Sequence, residues 1–213
     1  ATPCNKREPG SGCPAQDGVN RIHGVLGTSD SCIAVHPSDM CVGLAALDAR
    51  VNVLGINGQR TIPFTDFHRL PGDRPDIDTN LAPDEIIVSV DVPDEGFGQN
   101  HTYLKLRDRL SYAFALISVA AAMRIEKGVI ADARLALGGV AHKPWRDVEA
   151  EALLIGREPD LSVFGAVADK VMSEARGFGG NDFKIDLARR AIRRALSQAA
   201  AGTPQSQSYK RVH

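Results

Sequence analysis

The chain has 213 residues, of which 43% are hydrophobic and 24% charged, and its formal net charge is −1. This length fits one large domain or two modest ones, and the balanced charge disfavours nucleic acid or an anionic membrane as a partner. No apolar run approaches the ~18 residues that a membrane span needs, and the first residues lack the features of a signal peptide. We therefore expect a soluble globular protein without its own export signal.

The first 31 residues predict a long loop rich in glycine and proline, with no helical or alternating pattern. Because Ala1 is not an initiator methionine and the sequence opens inside this loop, we expect that residues are missing upstream. An ordered loop of this length is uncommon unless something ties it down. All four cysteines lie in the first fifth of the chain: Cys4, Cys13, Cys32 and Cys41.

The next part of the chain, residues 32–97, has a regular hydrophobic pattern. A short apolar run begins at Cys32, where we expect the loop to enter a strand, and Ser38 or Asp39 is predicted to cap a helix over 38–49. Three further strands are expected, the first two joined by an Asn-Gly turn and the third rich in β-branched residues, at 50–54, 60–64 and 85–92. The polar, proline-punctuated stretch 65–83 is typical of a surface connection.

The sequence pattern changes after the loop at residues 94–100, which predicts a domain boundary there. Strands are expected at 103–107, 115–126 and 129–138, followed by helices at 147–155, 161–175 and 184–200. This order predicts an α+β fold in which a three-stranded antiparallel sheet is packed with three helices. The resulting division is a loop at 1–31, a lobe at 32–97, a second domain at 98–202 and a mobile polar tail at 203–213.

The cysteine spacing is Cys-x8-Cys-x18-Cys-x8-Cys, which is not the close pairing of a structural zinc site. Two disulfides are possible by number. Cys41 lies on the apolar face of the predicted helix and is expected to be a core residue. Cys4, Cys13 and Cys32 instead suit an iron–sulfur cluster, in which irregular ligand spacing is normal, although a fourth ligand is missing.

Four segments of the chain resemble the FAD-binding medium subunits of the molybdenum hydroxylases, in the branch that carries an iron–sulfur cluster. The resemblance covers residues 1 to about 200 and rests on these segments: PCNKREPGSGC, GVNRIHGVLGTSDSCIAVHPSDM, RTIPFTDFHRLPGD and GGVAHKPWR. It implies FAD and a [4Fe-4S] cluster whose ligands match Cys4, Cys13 and Cys32. It also implies a fourth ligand before Ala1 and an amino-terminal flavin lobe, neither of which is found in these 213 residues.

The resemblance also assigns flavin contacts residue by residue. Ser38 and Asp39 match a pair that approaches the flavin, although from spacing alone a helix cap is the simpler interpretation. Ile86 and Ile87 match an apolar pair at the flavin ring edge, and without the resemblance they would be core residues. Lys105 matches a lysine that reaches the flavin, and its charge would stabilise the reduced ring; alone it would be an exposed strand residue.

The histidines and the arginines of the last helix are weaker candidates for functional residues. The histidines show no metal-ligand spacing, and a lone histidine is more often structural. The arginines of the last predicted helix form a basic stripe that is expected to be solvated, with a subunit contact as the alternative: Arg189, Arg190, Arg193 and Arg194.

The resemblance therefore implies an electron-transfer subunit of a molybdenum-dependent complex of the aldehyde oxidoreductase or xanthine dehydrogenase type. In this interpretation a large partner holds the molybdenum cofactor, a small partner holds [2Fe-2S] clusters, and electrons pass through FAD in this chain to an external acceptor. No catalytic acid, base or nucleophile is expected here. The alternative is a cofactor-free interaction module braced by disulfides or zinc. The expected location is cytoplasmic, or periplasmic if a partner carries the complex across the membrane.

Overall fold

The computed structural model describes residues 2–206, and its first half is built around a three-stranded antiparallel sheet. The elements of this half in chain order are α1 Asp39–Ala46, β1 Arg50–Gly55, β2 Gly58–Pro63, α2 Phe64–Phe67 and β3 Ile86–Asp91. The strand order is β2-β1-β3, so β1 is central and β3 forms one edge. The hairpin between β1 and β2 closes at Gly58, whose φ of 97° suits glycine best.

The second half contains a four-stranded antiparallel sheet and three helices. Its elements are β4 Asn100–Leu106, β5 Ile117–Glu126, β6 Val129–Gly138, β7 Trp145–Arg146, α3 Val148–Ala152, α4 Leu161–Val171 and α5 Phe183–Ala200. The strand order follows the chain order, β4-β5-β6-β7. Lys127 and Gly128, both with positive φ, form the two-residue turn between the two long strands.

Local sequence explains where these helices begin. The Asp147 carboxylate accepts hydrogen bonds from the amides of Glu149 and Ala150 at 3.0 Å, which caps α3. Asp160 caps α4 in the same way. Such side chains satisfy amide groups that have no partner within the helix.

The four-stranded sheet is the central layer of the molecule. Helix α5 covers one face and α4 packs against α5, and together they form a large apolar cluster that includes Val119, Leu137 and Ile192. On the other face, Ala120 and Ala136 belong to a second cluster with α1 and the first sheet. Because both faces are covered, β5 is buried from Ile117 to Met123 without the alternation of a half-exposed strand.

The long amino-terminal loop is attached to this core by apolar and polar contacts, and its residues Val25 and Leu26 are fully buried in the large apolar cluster. The fully buried Lys184 at the start of α5 donates hydrogen bonds to the carbonyls of Ile22, His23 and Gly139. The Asn181 side chain donates to the Gly24 carbonyl at 2.9 Å. The loop is therefore anchored through groups that satisfy its backbone carbonyls.

The α+β class is confirmed, but several details of the sequence prediction are wrong. The second sheet has four strands rather than three, because Trp145 and Arg146 pair with Leu137 and Ala136. The stretch 65–83 contains most of helix α2 and buries Phe67, so it is more than a surface connection. Cys32 does not enter a strand, since residues 32–36 have no regular structure.

The remaining boundaries differ by a few residues. Helices α1, α3 and α4 are shorter than predicted, and β4 begins three residues earlier, at Asn100. The division into domains at 94–100 stays a prediction. In the predicted mobile tail, the Thr203 amide donates to the Gln198 carbonyl and the Gln205 amide to Thr102, while 207–213 lie outside the described residues. No helix in the described part of the chain is both long and apolar enough to cross a bilayer.

Candidate functional site

A cleft of about 800 Å³ opens where α1 begins, beside the four-stranded sheet. Its volume lies within the range of pockets that hold cofactors and other small molecules. Three of the predicted flavin residues line it: Ser38, Asp39 and Lys105. The structure therefore brings together residues that are 66 positions apart in the sequence.

Polar contacts fix these three side chains. The Lys105 ammonium donates a 2.5 Å hydrogen bond to the Asp39 carboxylate, and the Tyr103 hydroxyl donates to its other oxygen at 2.9 Å. Burial raises the pKa of Tyr103, so its hydroxyl keeps its proton. The Ser38 hydroxyl accepts from the Cys41 amide at 3.3 Å, which confirms its interpretation as a helix cap. Lys105, with a side chain only 14% exposed, is not the exposed charge that the sequence alone predicts.

Apolar residues also line the cleft, among them Ala113, Phe114 and Ala115. Phe114 is largely exposed, so its ring is available to a ligand. Gly139 also lines the cleft and has a φ of 74°, and a Cβ there would lie 2.6 Å from the Leu116 carbonyl oxygen. Any larger residue at this position would therefore displace the backbone that forms the cleft.

This arrangement suits a flat ligand that has an apolar surface and a polar edge. Phe114 and the two alanines provide apolar contact, and Lys105 provides a positive charge in the same cleft. A flavin ring has both properties, so the residues present fit the isoalloxazine part of FAD.

The structure does not bring Ile86 and Ile87 to this cleft. Both lie on the edge strand β3, and Ile86 is 63% exposed and Ile87 48% exposed. The interpretation of these residues as core, which the sequence alone favours, is therefore wrong. Their match to a flavin-lining pair stays a prediction.

The predicted cluster cysteines lie together in the amino-terminal loop, and Asn5 links the segments that carry them. Its side chain accepts from the Gly12 amide and donates to the Ser31 carbonyl, both at 2.8 Å. These partners immediately precede Cys13 and Cys32, and Asn5 itself follows Cys4. The Asn5 side chain therefore connects the three segments that carry Cys4, Cys13 and Cys32.

Cys4 and Cys13 lie close enough to Cys32 to affect its pKa. Burial raises the pKa of Cys32, and repulsion from Cys13 and Cys4 adds to this effect, while Lys6 opposes it. Burial also acts to raise the pKa of Cys4, but hydrogen bonds from the amides of Lys6 and Arg7, together with their charges, lower it overall. All four cysteines of the chain are free thiols in the structure.

The arrangement of the loop thiols can be compared with the ligand spacing around a single zinc ion. Around a tetrahedral zinc with bonds of about 2.3 Å, sulfur ligands lie about 3.8 Å apart. Within residues 2–206, the one group of potential ligands whose donor atoms all lie within 4.8 Å is formed by His36, Cys41 and His68, not by the loop cysteines. Within the described residues, the three loop thiols are thus not spaced as they would be around one tetrahedral ion.

Sequence reasoning missed several of these residues. The group of His36, Cys41 and His68 has no recognisable ligand spacing, because His68 is 27 positions beyond Cys41. Asn5 has no motif, although its place directly after Cys4 was a usable signal. Cys41 is nearly buried in the second apolar cluster, so the prediction of a core position is confirmed. In the arginine stripe, Arg189 forms an ion pair with Asp169, and the other three are not assigned to a site.

Two family models match the chain, one on each side of the 94–100 segment. The model described as the FAD binding domain in molybdopterin dehydrogenase matches residues 24–95. The model described as the CO dehydrogenase flavoprotein C-terminal domain matches residues 101–199. The cleft is lined by residues from both matched regions.

Curated relatives include subunits of aldehyde-oxidising enzymes. The aldehyde oxidoreductase FAD-binding subunit PaoB of Escherichia coli (strain K12) is 46% identical over 200 residues, which are 93% of this chain and 59% of that protein. The glyceraldehyde dehydrogenase medium chain of Sulfolobus acidocaldarius is 33% identical over 73% of this chain and 51% of that protein. The chain thus spans between half and three fifths of these relatives.

Solved structures show the same fold. A carbon monoxide dehydrogenase from Hydrogenophaga pseudoflava, which lacks the Mo-pyranopterin moiety of the molybdenum cofactor, aligns with a TM-score of 0.67 at 28% identity. The alignment covers 85% of this chain and 59% of that one.

Proposed function

Because the chain belongs to the FAD-binding medium subunits of the molybdenum hydroxylase family, we propose that it is an electron-transfer subunit holding FAD and a [4Fe-4S] cluster. The observation that carries the proposal is the placement of Ser38, Asp39 and Lys105 in one cleft. The alignment of the three cysteine segments by Asn5 supports the cluster.

The cleft supports FAD through the chemistry of its walls. FAD, when bound, supplies the electron-accepting and electron-donating chemistry. Lys105 stabilises negative charge on a ligand in the cleft, and its pairing with Asp39 holds the ammonium in one direction. Tyr103 fixes Asp39 in turn, so the positive charge is positioned before any ligand binds. Ile86 and Ile87 are proposed to contact the same cofactor from β3.

The amino-terminal loop supports the cluster through its ligands and its amides. Cys4, Cys13 and Cys32 would hold iron as thiolates, and the lowered pKa of Cys4 favours that form. Lys6 and Arg7 add positive charge close to a site that becomes negative once thiolates and cluster are present. The fourth ligand is expected from outside these 213 residues.

The partners and the reaction are proposed from the family. We infer that a large subunit with a molybdenum cofactor oxidises the substrate and that a small subunit with [2Fe-2S] clusters delivers the electrons to this chain. The flavoprotein passes them to an external acceptor. The similarity to an aldehyde oxidoreductase subunit supports an aldehyde as the substrate class. Residence in the periplasm would depend on export with a partner.

A cofactor-free module braced by disulfides or zinc is the competing interpretation. The free state of all four cysteines does not support disulfide bracing, and the spacing of the loop thiols does not favour one tetrahedral zinc among them. Within the described residues, nothing favours zinc or disulfide bracing of the amino-terminal loop itself.

The test is reconstitution of the purified full-length subunit with iron, sulfide and FAD under anaerobic conditions. We expect flavin and cluster absorption together, with about four iron atoms per chain. Cys13→Ser should abolish iron binding while the carboxy-terminal helices remain folded by circular dichroism. Lys105→Met should weaken FAD binding and leave iron unchanged. A colourless protein, or unchanged iron in Cys13→Ser, would refute the proposal.

A further inference from the structure

We propose that His36, Cys41 and His68 form a second metal site, which binds one zinc ion between helices α1 and α2. One donor atom from each residue lies within 4.8 Å of the others. This compact spacing is what a single ion requires and differs from that of the loop cysteines. The site does not depend on the proposed flavin and cluster.

The three ligands come from segments that the fold fixes in place. The His36 amide donates to the Ala141 carbonyl at 3.0 Å, and Cys41 lies in the first turn of α1. His68 directly follows α2 and pairs with Thr79 in an isolated β-bridge. A metal ion held here would join these segments at a point close to the cleft.

The two histidine rings face each other in an aromatic environment. Their centroids are 4.3 Å apart with the planes tilted by 48°. Phe64 and Phe67 pack edge-on against the His68 ring at centroid distances of 5.5 and 5.1 Å. These contacts limit rotation of the His68 ring, so its position is set before an ion binds.

Unpartnered nitrogen atoms provide the second line of support. The His36 Nε2 and His68 Nδ1 atoms are both buried and have no hydrogen-bond partner in the described structure. The His68 residue is only 8% exposed. Buried polar atoms are nearly always paired in folded proteins, and a metal ion satisfies a nitrogen lone pair as a hydrogen bond would.

The neighbouring His142 differs from His36 and His68 because both of its ring nitrogens have partners. Its Nδ1 pairs with the Arg69 carbonyl at 3.0 Å, and its Nε2 pairs with the Lys6 ammonium at 2.9 Å. Both nitrogens are thus occupied, so His142 is not available as a ligand. Of the three described histidines that have a buried unpaired nitrogen, His36 and His68 lie beside Cys41, and His23 lies outside the group.

The protonation states suit metal binding. Burial lowers the pKa of His36 and lowers that of His68 to about 4, so both rings are neutral near pH 7. Neutral imidazole is the form that ligates metals. The Asp78 carboxylate acts to raise the pKa of both rings. The Lys6 ammonium acts to lower the pKa of His36, and the Lys143 ammonium that of His68.

Two imidazoles and one thiolate form a donor set that zinc accepts. Binding forms two metal–nitrogen bonds and one metal–sulfur bond, and the Cys41 thiol releases its proton to solvent. A water molecule would complete four-coordination.

The experiment measures zinc and iron per chain by mass spectrometry after incubation of the iron-reconstituted protein with zinc and dialysis. We expect one zinc in the unaltered protein, and its loss in His68→Asn and in His36→Gln with no change in iron. His23→Asn is the matched control, because His23 also has a buried unpaired nitrogen but lies outside the group. It should retain the zinc.

A second measurement protects against zinc captured by the loop. In a chain with Cys4, Cys13 and Cys32 all changed to serine, cobalt should still produce thiolate-to-metal absorption, and adding Cys41→Ala should remove it. The proposal is overturned if His68→Asn and His36→Gln keep the zinc, or if the triple serine variant loses the cobalt absorption while remaining folded.

Discussion

The two sheets of this protein contain similar residues in opposite surroundings. Strand β5 is buried from Ile117 to Met123, whereas every residue of β3, from Ile86 to Asp91, is exposed. Both strands are rich in residues that favour β-structure. The difference lies in the layers around them. Helix α5 covers one face of β5 and α1 the other, whereas nothing in residues 2–206 buries β3. Apolar sequence therefore predicts a strand but not its burial.

The largest effect is expected where both faces of the central sheet are covered. Ile192 is fully buried in the cluster between α5 and the sheet. Ile192→Ala removes apolar contact and leaves a cavity, and should lower the free energy of unfolding by about 3–4 kcal/mol. Urea unfolding followed by circular dichroism measures it. A loss below about 1 kcal/mol would mean that this layer does not hold the fold together.

The next effect concerns the junction between the core and the loop. Burial lowers the pKa of Lys184 to about 8, while the unfolded chain keeps a value near 10.5. Between these values the unfolded state binds more protons, so stability should rise with pH across this range, by up to about 3 kcal/mol. Comparing wild type with Lys184→Met by urea unfolding at pH 7.5 and 10 isolates this contribution, because the variant lacks the titrating group.

The exposed Lys170→Met serves as the control for that comparison, since its side chain is 42% exposed and forms an ion pair with Glu149 at the surface. It should show the same pH dependence as wild type. A parallel pH dependence in wild type and Lys184→Met would show that the buried ammonium does not carry the effect.

A smaller effect on stability is expected in the amino-terminal loop. Asn5→Ala removes two side-chain hydrogen bonds and should lower stability by about 1 kcal/mol. The variant should nevertheless lose iron readily, because the three cysteine segments are no longer aligned. Iron retention during dialysis, measured beside the Asn52→Ala control in the first sheet, tests this. Equal retention in both variants would contradict the role given to Asn5.

The smallest effect is expected on β3. Ile86→Ser should change the free energy of unfolding by less than about 0.5 kcal/mol, since the side chain is already in solvent. If Ile86 contacts FAD as proposed, the same variant should weaken flavin binding, which fluorescence titration measures. A large loss of stability would instead show that β3 is covered in solution.

The elements with clear local patterns could be predicted from the sequence. Strands β1 to β6 and helix α5 have periodic or β-branched residues bounded by glycine, proline or capping residues. Strand β7 could not be predicted, because a segment of two residues has no periodicity. It is defined only by its pairing with β6, in which Trp145 lies opposite Leu137. The four-residue α2 is missed for the same reason.

The candidate site divides in a similar way. Ser38, Asp39 and Lys105 were available through family motifs, and the structure adds the ion pair that joins two of them. The group around His68 could not be predicted, because it depends on a tertiary approach between helices that no local spacing records. The exposure of β3 likewise depends on which elements pack beside it, and the residue pattern of one strand does not record this.

The edge position of β3 has a practical consequence for handling the protein. One side of the strand pairs with β1, and the other presents unpaired backbone groups beside Ile86, Ile87 and Val88. An apolar, uncovered edge is a template for intermolecular strand pairing. Concentrated preparations of this polypeptide on its own should therefore form β-rich aggregates, and a lysine introduced at Val88 should keep them dispersed.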